Sequence, residues 1–302
     1  MSYSASVVIP AYNAGAFIGQ CLEGLARQVL TSFEVIVIDD GSTDDTATIC
    51  EAFARQHPEL SLHVIRQANA GPASARNQGI RLAQSEIVVF LDSDCVPRPD
   101  WLAVLLPPLD KNPALQGVEG QTIPAPGKLS PLHHYVENKI GGQHWTCNMA
   151  YRKQVLLAVG GFDEGFPLPS GEDIDIARRI KQHTHDTALL FEPNAVVEHI
   201  LLDWPLSKHF GRAKTFSSMI RLWRKHPGLL IPEKSSFLDL TLNQLKHYVF
   251  PWIRFWPWLF KNPLIFAKLS LLYTVWISHT LLYFARYYRE AHEPLIIQEP
   301  LK

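Results

Sequence analysis

Five apolar residues in a row, Ile87-Val88-Val89-Phe90-Leu91, end on Asp92-Ser93-Asp94. A short, unbroken apolar run of this kind predicts a strand buried on both faces, as in a parallel sheet covered by helices. Neither carboxylate can sit inside that sheet without a penalty of several kcal/mol, so both belong at the strand's open end. In an open α/β sheet that end is where ligands bind. Two carboxylates converging there suit a hard divalent cation held together with substrate phosphates, and an ordinary strand-to-loop turn is the plain alternative.

The segments before this strand repeat one pattern. Ser6-Val7-Val8-Ile9-Pro10 reads as a strand ended by proline, which cannot donate to a ladder. A helix follows to about Gln28, with Phe17, Ile18, Cys21, Leu22 and Leu25 on one face. Phe33 to Ile38 is a second buried strand ending on Asp39-Asp40-Gly41-Ser42, and Thr43 or Asp44 can cap the helix that runs to about Gln56. Leu62 to Ile65 is a third strand, and Gly71-Pro72 opens a third helix that leads into the central strand. Strand and helix alternate throughout, which predicts an α/β fold with a doubly wound, mostly parallel sheet flanked by helices.

Charge divides the 302 residues unevenly. Residues 1–205 carry 14 Lys/Arg against 24 Asp/Glu, whereas 206–302 carry 14 against 5. The acidic part repels nucleic acid, which is not expected as a partner, and the basic, aromatic tail suggests an anionic membrane surface. The four cysteines, Cys21, Cys50, Cys95 and Cys147, form no CxxC pair, so reduced cytosolic thiols are expected rather than a disulfide framework or a zinc site. The amino terminus lacks a basic n-region and leads straight into a strand, so no signal peptide is expected.

Six segments in fixed order narrow the reading: Val8-Ile9-Pro10-Ala11-Tyr12-Asn13, Ile38-Asp39-Asp40-Gly41-Ser42-Thr43-Asp44, Asn69-Ala70-Gly71-Pro72 with Arg76-Asn77, Asp92-Ser93-Asp94, Gly160-Gly161-Phe162-Asp163, and Gly171-Glu172-Asp173. Together, over about residues 5–200, they resemble family 2 glycosyltransferases with the GT-A fold, a Rossmann-like architecture. The resemblance implies a nucleoside-diphosphate sugar donor, expected to be uridine-linked, and one sugar moved with inversion to a hydroxyl of a glycan or lipid-linked acceptor. It implies Asp40 as the base reader, since a carboxylate can accept the imide N–H of uracil, with Asp39 bracing the turn. Pro10, Ala11 and Tyr12 would face the nucleoside, and Asn69 and Arg76 the base or diphosphate; a surface salt bridge is the bland role for Arg76. Asp94 would ligate Mn²⁺ or Mg²⁺, with Asp92 on the ribose hydroxyl or a metal-bound water, and His199 would complete the metal shell. Asp173 would be the general base, with Glu172 steering sugar or acceptor. Asp175 is read as an acid favoured by the helix dipole. His133, His134, His183 and His185 receive no role, and Gly141-Gly142-Gln143-His144-Trp145 reads equally as a mobile loop or a simple turn.

A domain boundary is expected near residue 205, after which Lys208 to Lys225 predicts a basic amphipathic helix. Tyr248 to Phe260 sets Trp252, Trp256 and Trp258 among prolines and a cation, a composition of membrane–water interfaces. In 264–285 Lys268 is the only charged residue, so that stretch is a candidate membrane segment, with a helical hairpin packed on the catalytic domain as the alternative. These features predict attachment at the cytoplasmic face of the inner or plasma membrane, where a polyprenyl-linked acceptor of polysaccharide or cell-envelope synthesis would be presented. A processive synthase would carry Gln-x-x-Arg-Trp, and this chain has only Arg221-Leu222-Trp223; a dinucleotide-dependent dehydrogenase would need Gly-x-Gly-x-x-Gly where Ala11-Tyr12-Asn13-Ala14-Gly15 stands. A catalytically silent nucleotide-sugar-binding or scaffold protein is the alternative from outside enzymology.

Overall fold

The computed structural model describes residues 3–130, 132–184, 188–226 and 260–271, together with 274 and 278. The amino-terminal half alternates as the sequence predicts: β1 (Ala5–Ala11), α1 (Ile18–Ala26), β2 (Phe33–Asp39), α2 (Thr46–Gln56), β3 (Ser61–Arg66), α3 (Pro72–Leu82) and β4 (Ile87–Leu91). The four strands pair in parallel in the order β3-β2-β1-β4. Every residue of β4 is buried, with Val89 and Leu91 in one core and Val88 and Phe90 in the other, so both faces are covered. Small residues let the layers close. A Cβ at Gly79 of α3 would collide with the side chain of Val8 in β1.

The second half is mixed. It runs β5 (Cys95–Pro97), α4 (Trp101–Leu105), α5 (Pro107–Lys111), β6 (Gly117–Pro124), β7 (His133–His134), β8 (Asn148–Arg152), α6 (Lys153–Ala158), α7 (Glu172–Thr184), β9 (Leu189–His199) and β10 (Leu202–Asp203). One eight-stranded sheet results, in the order β3-β2-β1-β4-β8-β6-β9-β5, with β8 antiparallel to β4 and to β6, and β9 parallel to β6. Antiparallel pairing of β5 with β9 sets Cys95 opposite His199, immediately after Asp94. The backbone N–H of Ile200 donates to the Asp94 carbonyl at 2.9 Å, which fixes the end of β9 against the end of the Asp-Ser-Asp turn. β7 and β10 form a separate two-stranded ribbon.

The single helix expected over 208–225 is broken. α8 (Leu206–Gly211) gives way to a 3-10 turn (Arg212–Thr215) and then α9 (Phe216–Lys225), and the break falls at Gly211, where the lack of a side chain makes helix costly. Most of 248–260 lies outside the described residues, as does most of 272–285. Within 263–271 the chain is helical, and among the described residues no helix is long and apolar enough to cross a membrane.

Candidate active site

A cleft of about 1050 Å³ opens where β1, β2 and β4 end and α7 begins. Pro10, Ala11, Tyr12, Asp40, Asn69 and Arg76 line it, and so do Asp92, Asp94, Glu172 and Asp173. Asp39 lies beneath this lining and His199 directly behind Asp94.

On the nucleoside side the carboxylates hold the loops. Asp39 is fully buried; its Oδ1 accepts from the Ser42 N–H at 3.0 Å and its Oδ2 pairs with Arg66 at 3.0 Å, so it braces the turn after β2. Asp40 is buried and accepts from Gln67 Nε2 at 2.7 Å and from the N–H groups of Ala70 and Gly71 at 2.9 and 2.8 Å. A carboxylate offers about four acceptor positions, so one remains for a ligand N–H. Gly41, at φ +75°, is required here because a Cβ would come within 2.9 Å of the Asn69 backbone nitrogen. The Tyr12 ring is half exposed at the rim.

Arg76 is neither a surface salt-bridge partner nor a free cation. It is buried and bridges two elements, donating from Nη2 to Asp92 Oδ1 and from Nη1 to Glu172 Oε1, each at 3.0 Å. The guanidinium thereby ties the end of β4 to the first turn of α7, which neither motif reveals alone. Arg76 Nε and Glu172 Oε2 are buried and lack a partner among the described residues. Buried polar atoms left open beside a cleft point to a polar ligand.

Behind this bridge, His199 Nε2 lies 3.5 Å from Asp94 Oδ2, while His199 Nδ1 lies 2.8 Å from the Ile200 carbonyl. A proton on Nδ1 donated to that carbonyl leaves the Nε2 lone pair facing Asp94, the arrangement seen in metal-ligating histidines. Burial and the neighbouring Asp92 charge raise the Asp94 carboxyl above its ordinary value, against the pull of His199. A carboxylate and an imidazole converging beside an excess of negative charge fit a divalent cation, with the cleft side left for phosphate oxygens.

Asp173 sits in the first turn of α7 and is partly exposed to the cleft. Burial, reinforced by the Glu172 charge and opposed by Arg76, raises its carboxyl to about 7. A base poised there is half ionised near neutrality, which suits removal of a proton from a hydroxyl.

Several residues of the site were invisible in the sequence. His134, given no role, lines the cleft; its ring stacks on Trp204 with centroids 3.8 Å apart and meets His199 edge-on at 5.7 Å. The pairing of β7 with β10 sets His134 opposite Leu202, two residues before Trp204. Asp175 is corrected from a helix-dipole acid to a buried counter-charge, bonded to Arg179, Lys225 and His226. Asp163 of the Gly-Gly-Phe-Asp motif likewise accepts from Arg221 and Lys225. Against the opposing effect of burial, Arg221 and Lys225 hold the Asp163 carboxyl below the ordinary range, and the His226 hydrogen bond with Arg179 and Lys225 does the same for Asp175. Arg221 and Lys225 therefore face the acidic body rather than an outer surface, and α9 brings Met219 to the cleft beside Phe166 and Leu168. The Gly141-Gly142 segment is an ordered turn: both glycines have positive φ, and buried Glu119 accepts from Asn138 Nδ2 at 2.7 Å and the Gly142 N–H at 2.6 Å.

The sheet order and the carboxylate-rimmed cleft at the strand ends define a GT-A-type fold. Residues 6–155, about half of the chain, match Glycosyl transferase family 2. The chain belongs to that family. Validoxylamine A glucosyltransferase of Streptomyces hygroscopicus subsp. jinggangensis (strain 5008) is 29% identical over 272 residues, covering 74% of this chain and 61% of that protein. Among solved structures, mannosyltransferase PcManGT from Pyrobaculum calidifontis in complex with GDP-Man and Mn²⁺ superposes with a TM-score of 0.59 at 20% identity, over 97% of this chain and 89% of that one. Glucosyl-3-phosphoglycerate synthase from Mycobacterium tuberculosis, in complex with Mn²⁺, UDP-Glc and phosphoglyceric acid, gives 0.54 at 21% identity, over 73% and 79%. The stretches shared with curated relatives span 16% to 62% of their lengths.

Proposed function

We propose that the protein moves one hexosyl or N-acetylhexosaminyl unit from a nucleoside-diphosphate sugar to an acceptor hydroxyl by a single displacement that inverts the anomeric centre. The observation that carries this reading is that Asp94 and Asp173, 79 positions apart in sequence, line one cleft. Asp94 and His199 would hold Mn²⁺ or Mg²⁺, which supplies positive charge for the leaving nucleoside diphosphate. Two structural neighbours were solved with Mn²⁺ and different nucleoside-diphosphate sugars, in support of the metal and of the donor class. We take the base as uracil, read by the remaining acceptor position of Asp40.

The protein's own groups do the positioning. Arg76 orients Asp92 towards the ribose and Glu172 towards the sugar. Asp173 accepts the acceptor hydroxyl's proton as that oxygen attacks the anomeric carbon and the bond to the diphosphate oxygen breaks. No second carboxyl is needed to protonate the leaving group, and a single base with direct attack gives inversion.

The ion pairs of α9 with Asp163 and Asp175 favour a catalytic unit that includes residue 226, with 227–302 as the part that meets a membrane. The 8 Lys/Arg against 5 Asp/Glu of 227–302, with Trp252, Trp256 and Trp258 in the same stretch, support a glycan or polyprenyl-linked acceptor at the cytoplasmic face of the inner or plasma membrane, in polysaccharide or cell-envelope synthesis. Flotation of the full chain with anionic but not neutral vesicles is the expected result, and no flotation with either removes this placement.

The test of catalysis is Asp173→Asn. Donor binding, read as a thermal shift with UDP-sugars and Mn²⁺, should persist while nucleoside diphosphate release falls at least about 100-fold, the scale of general-base catalysis. Unchanged release would favour a binding or scaffold role instead.

A further inference from the structure

Directly after Asp94, the fold puts a thiol beside the cation site. Cys95 and His199 are register partners in the antiparallel β5–β9 pair, so their side chains leave the sheet on the same face. Cys95 Sγ lies 3.7 Å from Asp94 Oδ1, and His199 Nε2 lies 3.5 Å from Asp94 Oδ2. One ligand atom from each of Asp94, Cys95 and His199 falls within 4.8 Å of the others. Carboxylate, thiol and imidazole together are a different donor set from the oxygen-rich surroundings that Mg²⁺ and Mn²⁺ prefer; sulfur and nitrogen suit Zn²⁺, which is held by three protein ligands where a fourth position stays open. The Nδ1 contact of His199 with the Ile200 carbonyl fixes its ring in the ligating orientation.

We propose that Cys95 is a third protein ligand of this centre and makes it select thiophilic divalent ions, Zn²⁺ and Co²⁺ above Mn²⁺ and Mg²⁺. On binding, the thiol proton leaves to solvent, the sulfur bonds to the ion, and the cleft keeps the fourth position. The inference rests on Asp94 and His199 being cation ligands. Any nitrogen–oxygen site prefers Zn²⁺ to Mn²⁺ to some degree, so the specific claim is the share that the sulfur adds.

The full chain, stripped of metal with a chelator, is titrated with Co²⁺ and followed in the near ultraviolet. A sulfur-to-cobalt charge-transfer band is expected in the wild type and in Cys147→Ser, the neighbouring buried thiol, but not in Cys95→Ser. Zn²⁺ affinity, from competition with a chromophoric chelator, should fall at least about 100-fold in Cys95→Ser, the upper end of what losing a supporting group outside the coordination shell costs. Mn²⁺ affinity, read by electron paramagnetic resonance, should change far less. Mn²⁺ binding without a Co²⁺–thiolate band in the wild type overturns the Cys95 ligand alone, and needs no variant to fold. A band that follows Cys147 overturns it equally. Binding of neither Co²⁺ nor Zn²⁺ nor Mn²⁺ would sink the underlying cation site as well.

Discussion

Replacing Glu172 with Gln should shift the proposed transferase activity towards acid. Glu172 and Asp173 are adjacent in the first turn of α7, and the Glu172 charge is the main influence after burial that raises Asp173 to about 7. Gln keeps an oxygen to accept the Arg76 Nη1 bond at 3.0 Å, so the bridge to Asp92 survives while one negative charge is removed. Loss of a neighbouring charge worth about 1.4 kcal/mol lowers the Asp173 carboxyl by about one pH unit. If Asp173 must be ionised to act, about a tenth of the wild type is competent at pH 6, against about half of the variant. The ratio of the rate at pH 6 to the rate at pH 8.5 should therefore rise about fivefold in Glu172→Gln. The assay is nucleoside diphosphate release at saturating donor and Mn²⁺ across pH 5 to 9, each profile normalised to its own plateau. An acid limb that stays in place, or moves to higher pH, would refute the claim that this carboxylate pair sets the protonation of the base.

The same raised carboxyl carries a stability cost. The folded state binds the Asp173 proton more tightly than the unfolded chain, so stability falls as pH rises from about 4 to about 7. Asp173→Asn should consequently stabilise the protein by about 1–2 kcal/mol at pH 8 and by little at pH 4, as read by urea unfolding; equal gains at both pH values would contradict this. Lys225→Met should cost about 2 kcal/mol, less than the loss of a whole buried pair, because Arg221 still serves Asp163 and Arg179 and His226 still serve Asp175. Both carboxyls titrate below their ordinary range, so this loss is fully present above about pH 4 and shrinks as pH falls further; a pH-independent loss would assign it to packing instead.

The parts of the fold legible in the sequence are those whose signal is local. The buried runs of β1, β2 and β4 each stop at a polar turn, and those turns hold Tyr12, Asp40, Asp92 and Asp94. Gly71-Pro72 marked the start of α3 because proline fits a first helical turn. Long-range pairing was not legible. Nothing near Arg76 announces that it reaches Glu172, 96 residues on, or that α9 returns Lys225 and His226 to Asp175. Arg221 and Lys225 read as part of a solvated or membrane-facing stripe because their acidic partners lie about 50 to 60 residues earlier. His134 was missed for the same reason, since the two-residue strands that deliver it against Trp204 have no periodicity to read.

The central claim is that one base and one displacement carry the transfer. The measurement that tests it most directly is the anomeric configuration of the first-formed product, followed by proton NMR from an α-linked UDP-sugar donor that supports turnover. A β-linked product at the earliest time points is the expected result, and an α-linked product would contradict a mechanism in which Asp173 is the only catalytic carboxylate.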